Sequence, residues 1–314
     1  MASVPRLQTP ARILFFHHGF SPYLPFALAQ ARASNPRARV ILLGDAANQI
    51  HGLGHEHQGC PENSPRRLRF HRAFVHLNTS NLEDERRCIE RWLCLADFLE
   101  KEPAGPFWFL DSDAFVMADL ESLTPILAGQ TAGLPHLYGS CFCPDKNLVI
   151  RLAEWILQQY EDPACLRSWT EKFLKFRQGD PGGAVVHDMA LIIEFERQQN
   201  LQLRDLRKPI GSWLVDGGQL GGAFLQNKTT VPRLRRNPPD GEIRVRLKSG
   251  EYRMAVVHLQ GYDKSHAAGL TAWRPAIVRS FLRSPFRRNL KNLCRYWWNG
   301  ERYRRYLDAA GSSA

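Results

Sequence analysis

The chain has 314 residues, of which 44% are hydrophobic and 23% are charged, and this composition is typical of a folded globular protein and excludes a disordered chain. The formal net charge of +11, from 42 basic and 31 acidic residues, predicts an anionic partner such as a phosphorylated substrate, an anionic membrane face or nucleic acid. The seven cysteines are scattered along the chain, which argues against a disulfide framework and indicates a reducing compartment.

No apolar run approaches the roughly 20 residues that a membrane-spanning helix requires. We therefore expect a cytoplasmic protein that is either soluble or peripheral on the cytoplasmic face of a membrane.

The chain begins with a predicted strand, helix and strand. The apolar run RILFFH at residues 12–17 predicts a buried strand, residues 22–33 (PYLPFALAQARA) predict a helix, and RVILL at residues 39–43 predicts a second strand. This order within about 30 residues implies a parallel sheet with a right-handed crossover, so we predict an α/β fold.

Three polar residues follow these strands, namely His17, His18 and Asp45. The carboxyl ends of parallel strands lie at the same edge of a sheet, which is where open α/β sheets bind ligands. We interpret these residues as contacts to a nucleotide base or ribose. The alternative is that they are ordinary loop residues.

The next stretch, Gly52 to Pro65, is rich in glycine and polar residues and predicts a loop. It carries or adjoins several potential zinc ligands, which are His51, His55, His57 and Cys60. Their spacing matches no common structural zinc pattern, so we predict no zinc site there.

Residues 83–101 predict an amphipathic helix that packs under the strand that follows. Its apolar stripe has helical spacing and consists of Cys88, Trp92, Leu95 and Leu99. Arg91 lies on the same helix. It is either a contact to a donor phosphate or a solvated surface charge.

The central motif lies in residues 107–119, FWFLDSDAFVMAD, where an apolar strand leads into Asp111 and Asp113. Residues two apart in a strand point the same way, with Cα atoms about 7 Å apart. Two carboxylates so close together favour a divalent cation, Mn²⁺ or Mg²⁺, although aspartates also cap turns after strands. The apolar runs on both sides place the pair at a strand's carboxyl end and favour the cation site.

The region after the aspartates predicts helices at residues 120–128 and 148–160, with a short buried strand around Cys141 and Cys143. A glycine-rich connection at residues 179–187 precedes a helix that begins near Asp188. Asp188 either serves the site or is there because an acid in the first turn suits the helix dipole.

A basic, proline-rich stretch at residues 231–241 predicts a loop. It leads into a predicted hairpin with strands at residues 242–247 and 251–259. The second strand of this hairpin delivers His258.

These motifs together resemble the glycosyltransferases of the GT-A fold, over about residues 10 to 270. The resemblance rests on the strand-helix-strand start, Asp111-Ser112-Asp113, His187-Asp188 and the late His258-x-x-Gly261-x-x-Lys264. The spacing of the last motif is most similar to retaining members, in which Pro and Trp commonly follow the lysine. Ser265 and His266 stand there in this chain.

The resemblance implies a mostly parallel central sheet flanked by helices, forming a catalytic domain at about residues 10–275. Its nucleotide-sugar half would span residues 10–120 and its acceptor half residues 121–275. It also implies a nucleoside-diphosphate sugar as donor, with a UDP-sugar favoured, and a glycan or lipid-linked saccharide as acceptor.

The resemblance also implies roles for individual residues. Asp111 resembles the residue that contacts ribose and metal, Asp113 the main carboxylate ligand, and His258 the third ligand of Mn²⁺ or Mg²⁺. Lys264 resembles the catalytic cation that steadies the diphosphate leaving group. The predicted donor contacts are His17, Asp45, Arg91, Asp111 and Lys264.

The chemistry of sugar transfer supports these roles. Negative charge develops on the leaving phosphate and positive charge at the anomeric carbon, and a metal and a lysine stabilise the former. We predict Asp188 as the catalytic carboxylate near the sugar. It could position an acceptor hydroxyl, act as a general base or stabilise the oxocarbenium-like centre.

Residues 276–314 form a basic, aromatic tail, in which residues 279–307 hold nine Lys or Arg, one Glu and seven aromatic residues. A basic amphipathic helix, with Ser284 as its cap and Pro285 at its first position, suits an anionic membrane surface. The alternative is a helix docked on the catalytic domain. Nucleic acid is the least favoured partner, because no recognisable binding module accompanies the charge.

Two other functions remain open from the sequence. One is a nucleotidyltransferase, which can share the sheet and the aspartates. The other is a catalytically inactive adaptor that binds a membrane or nucleic acid.

Overall fold

The computed structural model describes residues 10–50, 52–127, 140–206, 208–216, 234–237, 242–247 and 249–258. The strands are β1 (Arg12–Phe16), β2 (Arg39–Gly44), β3 (Glu56–Gly59), β4 (Phe107–Asp111), β5 (Ala114–Val116), β6 (Ser140–Cys143), β7 (Trp213–Asp216), β8 (Leu234–Asn237), β9 (Glu242–Leu247) and β10 (Gly250–His258). The α-helices are α1 (Leu24–Ser34), α2 (Pro65–Ala73), α3 (Leu82–Lys101), α4 (Thr124–Leu127), α5 (Lys146–Glu161), α6 (Pro163–Arg177) and α7 (Asp188–Gln198).

The described strands form two sheets. The central sheet has the order β3-β2-β1-β4-β6, in which only β6 runs antiparallel to its neighbour. The second sheet has the order β5-β10-β9-β8, and β7 also pairs with β10, in a parallel arrangement. The predicted α/β class, with a mostly parallel central sheet flanked by helices, is confirmed.

Strands β1, β2 and β4 are buried on both faces of the central sheet, which explains why they are continuous apolar runs. Along β4, Trp108 and Leu110 pack with α1 and the second sheet, whereas Phe107 and Phe109 pack with the opposite helices. The Trp92 ring of α3 meets Phe109 edge to face at 5.2 Å between centroids. The prediction that this helix packs under the aspartate-bearing strand is confirmed.

Local signals set the ends of the helices that matter for the site. The Asn81 side chain caps α3 by accepting from the N–H groups of Glu83 and Asp84. The ring of His187 caps α7 by accepting from Ala190 N at 3.1 Å. Each cap satisfies backbone donors that the first helical turn leaves unpaired.

Several predicted elements were wrong in detail. The predicted loop at residues 52–65 contains β3, and the predicted loop at residues 231–241 contains β8. The predicted helix at residues 120–128 is a 3-10 turn followed by the four-residue α4, as far as residue 127. These segments are short, so local periodicity carries little information about them.

Cys88 corrects the predicted stripe of α3, because it is exposed while Ile89 and Trp92 are buried. The six described cysteines are free thiols. Among the described helices, none has the length and apolar character needed to cross a bilayer.

Candidate active site

The two aspartates lie where the chain passes from the central sheet to the second sheet. Asp111 is the last residue of β4 and stands beside Phe16 of β1 in the parallel register. Asp113 lies in the turn that follows, before β5 begins at Ala114. The expectation that one strand carries both carboxylates is therefore wrong, and the turn brings them together instead.

His258 reaches the same turn from the end of β10. The antiparallel pairing of β10 with β5 places His258 opposite Ala114, next to Asp113. Its Nε2 lies 2.9 Å from Asp113 Oδ1 and 4.0 Å from Asp111 Oδ2. Asp113 and His258 are buried, whereas Asp111 is partly open to solvent.

This cluster has the donor set of a divalent-cation site. One ligand atom from each of Asp111, Asp113 and His258 lies within 4.8 Å of the others. Carboxylate oxygens suit Mg²⁺ and Mn²⁺, and the imidazole nitrogen favours a transition metal over Mg²⁺, which prefers oxygen. The residues therefore fit a bound cation, with Mn²⁺ the better match.

Arg91 extends the cluster towards α7. Its Nη1 donates to Asp111 Oδ1 at 2.6 Å, and its Nη2 donates to Asp188 Oδ2. Burial opposes the charge on this guanidinium, but Asp188 and Asp111 hold the pKa of Arg91 above its ordinary value. The interpretation of Arg91 as a solvated surface charge is wrong, because only 14% of its side chain is exposed.

Asp188, at the first position of α7, is thus linked to Asp111 by a single arginine. The indole Nε1 of Trp92 lies 3.5 Å from Asp188 Oδ2, and Met189 N donates to Asp188 Oδ1 at 2.9 Å. The preceding loop is tied down, since Val186 N donates to Leu77 O at 2.8 Å. The structure places Asp188 in the site with its orientation fixed on several sides.

Gly183 makes this loop possible through close packing. A Cβ at Gly183 would lie 2.0 Å from the backbone nitrogen of Phe176, so the loop runs directly against the end of α6. A larger residue would clash with this backbone, so the loop or the end of α6 would have to move.

The polar residues after β1 and β2 also lie at this sheet edge. His17 Nδ1 is 2.8 Å from Ser112 Oγ, the middle residue of the aspartate triplet. His18 Nδ1 is 3.0 Å from Asp45 Oδ2, which also accepts from Gly19 N at 2.7 Å. Burial opposes ionisation of Asp45, but the Gly19 N–H and His18 hold its pKa below the usual value.

Residues that the sequence reasoning missed support these positions. Asn48 is buried, donates to His17 O at 2.6 Å and accepts from Asp45 N at 3.0 Å. A Cβ at Gly44 would lie 2.1 Å from Asn48 Oδ1, so a larger residue there would displace this hydrogen-bonded side chain. Asp45 followed three residues later by Asn48 is a capping signal that could have been noticed.

Other predicted residues cannot be placed. Lys264 and the tail at residues 276–314 lie outside the described residues, as does His51. Among the potential zinc ligands considered in this stretch, His57 has its Nε2 3.0 Å from Asn48 Oδ1.

No protein-family model matches the chain, and no curated protein matches it. Solved structures do match, and they include mouse xyloside xylosyltransferase 1 (10% identity, TM-score 0.41), with 65% of this chain and 87% of that chain covered.

Two further matches are also glycosyltransferases. The apo-form glycosyltransferase GlyE of Streptococcus pneumoniae gives 10% identity and a TM-score of 0.40, covering 90% of this chain and 64% of that chain. Galactosyltransferase LgtC with donor and acceptor sugar analogues gives 12% identity and a TM-score of 0.41, covering 86% of this chain and 94% of that chain. Similarity this low does not determine activity, so a function has to be supported by the site itself.

Proposed function

We propose that this protein is a metal-dependent glycosyltransferase that moves a sugar from a nucleoside-diphosphate sugar to a glycan or lipid-linked saccharide. The observation that carries the proposal is the meeting of Asp111, Asp113 and His258 at the carboxyl end of β4. The histidine comes from the other sheet, 145 residues later in the chain than Asp113. Exposed acids often cluster by chance, whereas here two buried residues, Asp113 and His258, are brought together from distant parts of the chain.

The residues of the site divide the work of the reaction. A divalent cation, when bound by Asp111, Asp113 and His258, would neutralise the donor diphosphate and stabilise charge on the leaving group. Arg91 holds Asp111 and Asp188 at a fixed separation by donating to both. Such preorganised charges need no rearrangement as the transition state forms.

Asp188 is the proposed carboxylate next to the transferred sugar. It is 5% exposed and held by Arg91, Trp92 and its own helix start, so it has little freedom to rotate. A fixed carboxylate can orient an acceptor hydroxyl or stabilise positive charge at the anomeric carbon. Lys264 remains our candidate for the cation that stabilises the leaving diphosphate.

The nucleoside of the donor is proposed to bind at the ends of β1 and β2. His17 contacts Ser112 of the triplet, and Asp45 lies at the end of the neighbouring strand, paired with His18. A UDP-sugar remains the favoured donor. A lipid-linked acceptor would bring the protein to a membrane, for which residues 279–307 are the proposed contact.

Removing the metal ligands tests the proposal. Asp113→Ala and His258→Ala should each abolish Mn²⁺-stimulated hydrolysis of the donor and Mn²⁺ binding by calorimetry, because each removes one of three ligands. Asp84→Ala is the matched control, since Asp84 is exposed in the first turn of α3. Full activity of both site variants would exclude the proposed function.

The donor can be found by thermal denaturation with a panel of sugar nucleotides, with and without Mn²⁺, since a ligand that binds the folded state raises the apparent stability. The released product then identifies the reaction. A nucleoside diphosphate supports glycosyl transfer, whereas pyrophosphate indicates nucleotidyl transfer. Calorimetry that detects no nucleotide binding with Mn²⁺ would favour the inactive adaptor.

A further inference from the structure

Another buried carboxylate, Glu85, lies near Asp188 and has no role in the function proposed above. Glu85 belongs to the first turn of α3 and is 5% exposed. Its Oε2 accepts from Asn78 Nδ2 at 2.6 Å and from Ser80 Oγ at 3.2 Å. Its Oε1 is buried and has no hydrogen-bond partner among the described residues. An ionised carboxylate with an unsatisfied buried oxygen is costly, and a bound proton removes that cost.

Asn78 connects this carboxyl group to the start of α7. The same Nδ2 that donates to Glu85 also donates to Val186 O at 3.1 Å. Val186 lies two residues before Asp188 and is held a second time, since its N–H donates to Leu77 O. Asn78 therefore fastens the chain entering α7 to the first turn of α3.

The charges around Glu85 also disfavour its ionised form. The titratable groups that face it are Asp188 of α7, Arg91 and Cys88 of α3, and Tyr160 of α5. Arg91 is the basic group of this set, and its guanidinium already pairs with two carboxylates, Asp111 and Asp188. Burial first, and then the charge of Asp188, raise the pKa of Glu85 to about 7.

We propose that Glu85 is a positioning residue that acts as a neutral carboxylic acid and, through Asn78, holds Asp188 against Arg91. The inference rests on the proposed function insofar as Asp188 serves the transfer reaction. When Glu85 loses its proton, a third carboxylate competes for the single guanidinium and repels Asp188. The orientation of Asp188 is then weakened, so the reaction slows as the pH rises.

Direct titration tests the protonation state of Glu85 without any activity assay. In full-length protein labelled with [5-¹³C]glutamate, the Glu85 carboxyl signal, assigned by its loss in Glu85→Gln, should titrate with a pKa of about 7. Asn78→Ala should raise this pKa further, because the Asn78 hydrogen bond favours the charged form. The control Glu83→Gln, on an exposed acid of the same turn, should leave it unchanged. An ordinary pKa near 4.5 would overturn the proposal.

The pH profile of kcat/KM then tests the positioning role. The wild type should decline above the pKa of Glu85, by at most about tenfold for each pH unit, towards a lower plateau set by the enzyme with ionised Glu85. Glu85→Gln keeps a neutral hydrogen-bonding side chain and should not show this decline. An unchanged decline in Glu85→Gln would refute the positioning role. If the wild type transfers no sugar from any donor, the proposed function fails, and the titration still decides the state of Glu85.

Discussion

Two arginines of this protein, Arg66 and Arg91, each pair with more than one carboxylate, but the two clusters have different roles. Arg66 of α2 donates to Asp97 and Glu100 of α3 and to Glu154 of α5, at distances of 2.5 to 2.9 Å. Arg91 of α3 donates to Asp111, at the end of β4, and to Asp188, at the start of α7. Both side chains are mostly buried, with 12% and 14% exposed.

The partners of the two arginines explain the difference. Glu100 and Glu154 are 45% and 44% exposed, so water can solvate them when Arg66 is absent. The side chain of Asp188 is 7% exposed, and Asp111 faces the proposed cation site. The Arg66 cluster thus fastens helices together at the surface. The Arg91 cluster holds two carboxylates that a folding protein would otherwise avoid placing side by side.

The largest effect is expected for Arg91→Ala. This change leaves Asp188 buried without its cation and next to Asp111, and breaking a buried pair in this way costs about 3–5 kcal/mol. The free energy of unfolding, measured with urea, should fall by that amount, and donor turnover should be lost. Arg91→Lys should recover part of the stability, because a lysine restores the charge without the two-pronged geometry.

A bound cation should reduce this loss of stability. Mn²⁺ at Asp111, Asp113 and His258 supplies positive charge close to the uncompensated carboxylates, so Arg91→Ala should gain more stability from Mn²⁺ than the wild type does. The same measurement on Asp113→Ala provides the control. If Mn²⁺ stabilises Arg91→Ala no more than it stabilises the wild type, the cation and Arg91 do not share Asp111.

An intermediate effect is expected from the protonation of Glu85. Its pKa is raised from 4.5 to about 7 in the folded protein, so the folded state binds the proton more tightly than the unfolded state. The stability of the wild type should therefore fall as the pH rises from about 4.5 to about 7, by on the order of 3 kcal/mol. Glu85→Gln should lack this decline, which urea unfolding at several pH values would reveal. Identical pH dependence in the two proteins would contradict the pKa shift.

The sequence could predict the elements whose signal is local. The runs RILFFH, RVILL and FWFL are apolar because both sheet faces are covered, and they identified the parallel strands. Asp111, Asp113 and His258 were proposed as a set from the family resemblance, and they do meet.

The remaining features depend on contacts between distant segments. Nothing in the helical pattern around Arg91 shows that α7 returns to place Asp188 against it, 97 residues later. Glu85 and Asn78 likewise look like ordinary polar residues near a helix start. Only the structure shows that Val186 packs beside them and accepts a hydrogen bond from Asn78. Arg66 and Arg91 are not distinguished by the sequence, because the acids that pair with each arginine lie at least 20 residues away along the chain.

The smallest effect is expected for Arg66→Gln. The pairs that it removes join partly exposed carboxylates, and exposed ion pairs contribute about 0–1 kcal/mol each, less at high salt. The free energy of unfolding should change by about 1 kcal/mol, the difference should shrink in 1 M salt, and donor turnover should be unaltered. A loss as large as that of Arg91→Ala would mean that paired arginines in this protein are all structural. In that case the special position of Arg91 would have to rest on turnover alone.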